Sequence, residues 1–370
     1  MKARNTRLRL NSASRGRSTK PPYPYGAHAA YHFTPVCEEG RSASQRAPDS
    51  AARRCEGGTA PISHGQGGHA IVASVANDEQ RRIWNEVNAP RFFAIREALE
   101  RSLAPYGEAA INALALAPGD SALDVGCGFG STTRELARRI GPSACVLGID
   151  LSEPFIAAAR SEAPSNVRYL CADAQTHTFD ASFDLCFSRF GVMFFEDPAA
   201  AFANLRRALR PGGRFAVVAW ASPEQNAWVE VPLRVLRAHL PTPPAAALAG
   251  PGPFSLADPV AFERLLAEAG FAQSRVQVLD LPYFAGATVQ EAARLLLQLG
   301  PAAAVLREAG DEGKRLQPAV AADLCDALAP WSGPRGVELP AAALLATAGR
   351  PDPTVSAGGR RGSASGHTST

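Results

Sequence analysis

The chain has 370 residues, 46% of them hydrophobic and 20% charged, a composition that excludes collagen-like and membrane-embedded classes and a length that supports a large core without disulfide or metal staples. The net charge of +3 hides an uneven distribution, +7 over residues 1–76, −6 over 77–349 and +2 over 350–370. An acidic middle argues against nucleic acid as a partner of the core. No apolar run approaches the roughly 18 residues that a membrane helix needs, and seven cysteines without CxxC spacing or a secretory signal read as free thiols in a reducing, cytoplasmic setting.

In chain order, residues 1–76 contain only eight Leu, Ile, Val or Phe, too few to offset the entropy of ordering the segment. They are expected to form a disordered basic arm, either a passive tail or an Arg- and Ser-rich targeting or nucleic-acid-binding arm. From Asn77 the pattern becomes that of a fold. Trp84 and Val87 lead to a break at Pro90, and Ile95, Leu99 and Leu103 recur at helical spacing, so two short helices are predicted. Strands follow at 121–125, 144–150, 167–173, 183–190 and 212–220, separated by helices around Thr133–Ile140, 154–163 and 198–209. A further helix around Phe262–Ala269 ends at Gly270. Strands at 274–280 and 337–347 complete the set. Most strands are continuous apolar runs, which implies burial on both faces, and the βαβαβ order predicts a doubly wound, mostly parallel α/β sheet with helices on both faces. Two segments interrupt the alternation, 221–256 with a helical stretch near Trp228–Leu240 and a helical 285–316. Both read as insertions that cover a substrate pocket. The fold is expected to span 77–349 and the Gly/Ser/Thr-rich 350–370 to be a disordered tail.

The sharpest local signal is Asp124-Val125-Gly126-Cys127-Gly128-Phe129-Gly130, which follows a strand and opens a helix. Its glycines permit a tight turn and close approach of a ligand to the backbone, and the helix start offers unpaired N–H donors. Asp150 ends the second strand about 20 residues later, where a carboxylate accepts ribose hydroxyls in dinucleotide sites. Asp173 ends the third strand, within reach of a purine amino group. A dinucleotide fingerprint places Gly or Ala where Ser131 stands, and Asp124 repels a pyrophosphate but attracts an ammonium. That favours a nucleoside with a cationic amino-acid tail over an NAD(P)-dependent oxidoreductase. A non-enzymatic nucleoside-binding scaffold is the other alternative.

On these residues the sequence resembles the class I S-adenosylmethionine-dependent methyltransferases, and it is similar in particular to the type 11 domains that include the ubiquinone/menaquinone-biosynthesis C-methyltransferases. The resemblance also rests on Cys171-Ala172-Asp173-Ala174, Phe183-Asp184 and Leu209-Arg210-Pro211-Gly212-Gly213-Arg214. It implies a seven-stranded Rossmann-like sheet whose last strand is antiparallel after a hairpin, although 50-odd residues separate the last two predicted strands. It implies S-adenosyl-L-methionine as cofactor, held by Asp124, Val125, Gly126, Cys127, Gly128, Gly130, Asp150, Leu151, Asp173, Ala174 and Ser188. The expected activity is methyl transfer to a small-molecule acceptor by in-line displacement, driven by proximity and orientation.

Few bases are available in the core. His177 and His239 are its only histidines, and His177 falls near the cofactor edge. His177, Arg189 and Tyr283 are the candidate catalytic groups. Arg189 has a second reading, as an ion-pair partner of Glu196. Trp84, Arg189, Phe190 and Met193 are the candidate pocket residues, beside Phe92, Phe194 and Phe195. Cys127, inside the turn, is expected to make cofactor binding sensitive to a bulky thiol modifier. No His/Cys spacing suggests a metal site. No Asn-Pro-Pro-Tyr-like tetrapeptide follows the fourth strand, which disfavours an RNA or protein methyltransferase. The acceptor and the oligomeric state are left open.

Overall fold

The computed structural model describes residues 77–180, 182–240 and 250–354. The predicted arm, part of the first insertion and most of the predicted tail lie outside the described residues.

The chain enters through Asp78–Arg82 (α1), a π-helical stretch Ile83–Asn88, Ala89–Ala94 (α2) and Arg96–Ala113 (α3). Pro90 sits in the first turn of α2, where its missing N–H leaves no bond unmade. The alternating core follows: Ser121–Val125 (β1), Ser131–Ile140 (α4), Cys145–Asp150 (β2), Glu153–Ser161 (α5), Val167–Cys171 (β3) and Phe183–Arg189 (β4). Pro198–Ala208 (α6), Leu209–Trp220 (β5), Ala227–His239 (α7), Pro259–Glu268 (α8) and Ala272–Gly286 (β6) come next. The chain then forms Val289–Leu296 (α9), Gly300–Glu308 (α10), Gly310–Leu328 (α11), Ser332–Gly333 (β7) and Gly336–Gly349 (β8). Local chemistry sets several of these ends. Asp197, Asp258 and Thr288 accept from backbone N–H groups at the starts of α6, α8 and α9. Gly270 adopts φ +85 just past α8, as its position predicts.

The strands form one sheet in the order β3-β2-β1-β4-β5-β8-β6, with β7 paired to β8. The first five run parallel, and β8 is antiparallel to both β5 and β6. Every residue of β1 is buried, as is most of β4, which accounts for their unbroken apolar sequences. The predicted antiparallel strand is therefore present. The long link before it is not a hairpin but three helices, α9 to α11. These run to Leu328 and not to 316: α11 continues through Pro318 because Val320, Leu324 and Leu328 bury one face. β6 also outruns its predicted 274–280, since pairing with β8 carries it to Gly286.

Parallel register aligns the carboxyl ends of four strands on one edge. Val125 lies opposite Ile149, Asp150 opposite Cys171, and Arg189 opposite Val218. Successive connections leave β1 and β4 in opposite directions across the sheet, so this edge holds the topological switch point where ligands of such folds sit. Cys127, Cys171, Cys186 and Cys325 are free thiols; Cys145 departs from the all-thiol expectation in being disulfide-bonded. Among the described residues no helix is long and apolar enough to cross a membrane.

Candidate cofactor and acceptor site

A cavity of about 220 Å³ opens at the aligned strand ends. One half is backbone-rich. Val125, Gly126, Cys127, Gly128, Asp150, Leu151, Ala172, Asp173 and Ala174 line it. Gly126 takes φ +67, and a Cβ there would stand 2.7 Å from the Cα of Gly191, so the turn and the end of β4 touch backbone to backbone. Gly128, at φ +53, differs: a Cβ there would meet nothing within 4 Å. The space over Gly128 is thus open to a ligand. Asp150 is half-buried; its Oδ2 accepts from Gly128 N–H at 2.9 Å and its Oδ1 from Ser152 N–H at 2.9 Å. Burial raises its carboxyl above the ordinary value, opposed by those two N–H donors. Each oxygen has lone-pair capacity left for a further donor.

Asp124 is placed otherwise than predicted. It is fully buried beneath the turn and does not line the cavity. Its Oδ2 accepts from Thr132 Oγ1 at 2.8 Å and Thr133 Oγ1 at 2.6 Å, while Oδ1 has no partner among the described residues. Burial pushes its carboxyl up to about 6 against the two hydroxyls. Side chains alternate across a strand, and this position points into the β1–α4 layer. Ser188 is likewise buried, donating to the Val125 carbonyl at 2.7 Å and accepting from Gly191 N–H; it fastens the turn to β4 instead of facing the cavity. Gly130 is packed beneath Tyr169, whose hydroxyl would stand 2.2 Å from any Cβ. Asp173 lines the cavity, but its oxygens already accept from Asn77 Nδ2 at 2.8 Å and Gln175 N–H at 2.8 Å. Cys127 is buried, and burial with the nearby Asp150 raises its thiol well above the ordinary value, which disfavours the thiolate.

The other half is aromatic. Trp84, Phe92, Phe190, Met193, Phe194, Phe195, Trp220, Trp228 and Tyr283 line it. Trp84 comes from the π-helical stretch and meets Phe92 and Phe194 edge-on. Phe190 stacks on Trp220 with centroids 4.1 Å apart at 18°, and Trp228 stacks on Tyr283 at 5.7 Å and 22°. Phe190 has φ +60, a conformation costing a non-glycine residue about 1–2 kcal/mol, and the stack and its N–H bond to the Val218 carbonyl hold it there. Burial pushes the Tyr283 phenol up to about 12, against an opposing hydrogen bond with Ser102, which leaves it a neutral donor. Leu299 and Gly300 bring the α9–α10 junction to the cavity.

Two charged side chains meet between the halves. Arg189 Nη2 donates to Glu100 Oε2 at 2.8 Å and to Ser131 Oγ at 3.2 Å, and Ser131 Oγ donates to the same Glu100 oxygen at 2.7 Å. The partner of Arg189 is therefore Glu100 of α3. Glu196 is occupied elsewhere, with Asn77. His177 does not line the cavity; its ring packs on Phe179, and burial lowers its pKa. His239 pairs with Asp323 at 2.8 Å.

Residues 123–217 match the model of the methyltransferase domain family. That segment is a methyltransferase domain. It runs from the middle of β1 through most of β5, with the glycine turn, Asp150, Asp173 and Arg189. The chain is 35% identical over 179 residues to the nocamycin O-methyltransferase of Saccharothrix syringae, covering 44% of this chain and 63% of that one. It is 35% identical over 117 residues to the aklanonic acid methyltransferase DauC of Streptomyces sp. (30% and 53% of the two chains) and 36% over 118 to a UbiE C-methyltransferase of Saccharophagus degradans (30% and 47%). The chain thus spans under two thirds of the length of each of these relatives. The methyltransferase domain supplies the backbone-rich half of the cavity, while Trp84, Phe92, Glu100, Trp228, Tyr283 and Leu299 lie outside the matched segment.

Glu100, Thr132, Asn77, Trp220 and Trp228 were missed by sequence reasoning. Glu100 sits in an amphipathic helix among many carboxylates, with no local pattern to single it out. Trp220 carried a usable signal, an aromatic residue at the carboxyl end of a buried parallel strand.

Proposed function

We propose that the protein is an S-adenosylmethionine-dependent methyltransferase that acts on a small, largely apolar acceptor with flat rings. The observation that carries this reading is one cavity that joins the Gly126–Gly128 turn and Asp150 to an aromatic chamber. The open space over Gly128 and the two-point anchoring of Asp150 fit an adenosine laid against the turn. In this reading Asp150 accepts the ribose hydroxyls, Gly126 and Gly128 let the ligand lie on backbone, and Leu151, Ala172 and Ala174 flank the base. Asp173 contacts it through capacity left over from Asn77. The bound sulfonium supplies an activated methyl group. The protein's part is to orient the acceptor between Phe190, Trp220, Trp228 and Tyr283, and to exclude water with Trp84 and Phe92 on one side and Leu299 on the other. Ring faces of this kind favour an aromatic or polycyclic acceptor through stacking. A cytoplasmic setting belongs to the same reading, supported by the free thiols of Cys127, Cys171, Cys186 and Cys325 and opposed by the disulfide at Cys145.

Calorimetry with S-adenosylmethionine, S-adenosylhomocysteine and NADH tests the proposal. Micromolar binding of the first two and none of NADH is expected; NADH binding without the others overturns it. A screen of quinones, phenols, sterols and amines with labelled cofactor then identifies the acceptor by mass spectrometry.

A further inference from the structure

We propose that the Glu100–Arg189 pair is a receptor for the zwitterionic amino-acid end of the cofactor, with Arg189 taking its carboxylate and Glu100 its ammonium. This inference rests on the methyltransferase reading and assigns to two side chains a role that the glycine turn and Asp124 leave unfilled.

The argument begins with charge. A cofactor with an α-amino-acid tail presents one negative and one positive group close together. Among the described residues that line the cavity Arg189 is the one cation, and Asp124 is sealed from it. Asp150 and Asp173 lie on the β2–β3 side, where the adenosine is placed. Among the described residues the carboxylate therefore has Arg189 to pair with and no other lining cation, and Glu100 is the lining acid bonded to that guanidinium.

Position supports the same assignment. Asp150 ends β2 and Arg189 ends β4, with the turn after β1 between them. Two strand spacings make about 10 Å, and a tail leaving a ribose at Asp150 must cross the turn toward β4. Arg189 reaches over the start of α4, where its Nη2 bonds Ser131 Oγ. Anions are favoured at a helix N-terminus, and here a guanidinium stands beside one.

The fold makes room for the pair. A Cβ on Gly107 of α3 would stand 3.0 Å from Arg189 Cδ, so a glycine inside this helix admits the arginine. Arg189 and Ser131 both bond Glu100 Oε2, so Oε1 has capacity for an ammonium donor. Burial works against ionisation of Glu100, but the Arg189 guanidinium and the Ser131 hydroxyl outweigh it and hold the carboxyl below its ordinary value. The side chains are 11% and 25% exposed, and an ion pair so enclosed is a poor stability device, because desolvating both charges offsets most of their attraction. A preformed dipole facing a zwitterion gains from both ends of its ligand.

The test compares S-adenosylhomocysteine with 5′-methylthioadenosine, which shares the nucleoside and lacks the amino-acid group. Calorimetry is run on the wild type, Arg189→Met and the double variant Glu100→Gln/Arg189→Met. The double variant removes both charges, so no lone buried charge is left to unfold it, and thermal melting verifies the fold. The expected result is S-adenosylhomocysteine binding weakened about 10- to 100-fold in both variants, with methylthioadenosine affinity unchanged within about twofold. Equal weakening of the two ligands, or no weakening of either, overturns the assignment. A wild type that binds neither ligand overturns the methyltransferase reading, and this inference with it.

Discussion

Two glycines of the same turn do different jobs, and single substitutions separate them. Gly128→Ala places a methyl in open space, so the fold should lose only about 1–2 kcal/mol from the left-handed backbone, while S-adenosylhomocysteine binding falls about tenfold. Gly130→Ala drives a methyl into the Tyr169 ring and should lower the melting temperature much more. Differential scanning calorimetry and binding titrations distinguish the two. Asp150→Ala should weaken S-adenosylhomocysteine by about 1–3 kcal/mol in the same titrations, and unchanged affinity removes Asp150 from the site. Asp124 gives a pH signature. Its folded carboxyl is raised to about 6, so between about pH 4 and 6 the native state holds a proton that the unfolded chain has released. Stability from this residue is therefore full below that window and lost as the pH rises through it. Asp124→Asn should abolish this component, read as the pH dependence of the difference in urea-unfolding free energy between wild type and variant.

At the scale of elements, the acceptor half is assembled from pieces remote in sequence: the leading helices, α7, the end of β6 and the α9–α10 junction. Arg91 of α2 donates to the Gln298 carbonyl just before Leu299, tying the entry helices to that junction. Gly300 fits against Trp228 so closely that a Cβ would stand 2.7 Å from the indole. Gly300→Ala should tilt Trp228 and disturb its stack on Tyr283. The expected outcome is a raised acceptor KM with S-adenosylhomocysteine affinity unchanged within about twofold. Parallel losses in both would show that the two halves of the cavity do not act separately.

For the whole molecule, the insertion of β8 between β5 and β6 is held at one point by a buried side chain. Asn226 donates to the carbonyls of Ala221, Ser222 and Ala342, and its oxygen accepts from Ala342 N–H and the Trp228 indole. It joins β5, α7 and β8 around the acceptor chamber. Asn226→Ala strands several of these groups away from water and should destabilise the fold by about 2–4 kcal/mol in urea denaturation. A change below 1 kcal/mol would mean that water reaches this junction.

The sequence by itself determined the strand and helix order from 121 to 220, because central parallel strands bury both faces and announce themselves as continuous apolar runs bounded by glycine and proline. It also placed the turn at 126–130 and Asp150, because a tight turn at a strand end needs glycine and its acidic partner recurs at a fixed interval. Only the tertiary structure decided which of those residues face the cavity. Asp124 and Ser188 have the right type and position along the chain, but strand alternation and neighbouring hydroxyls turn them inward. The same holds for the partner of Arg189. Glu196 is near in sequence, but Glu100 lies 89 residues away and is brought beside it by the packing of α3 against the sheet. Pairings across such separations are set by how layers stack, and local pattern carries no record of that.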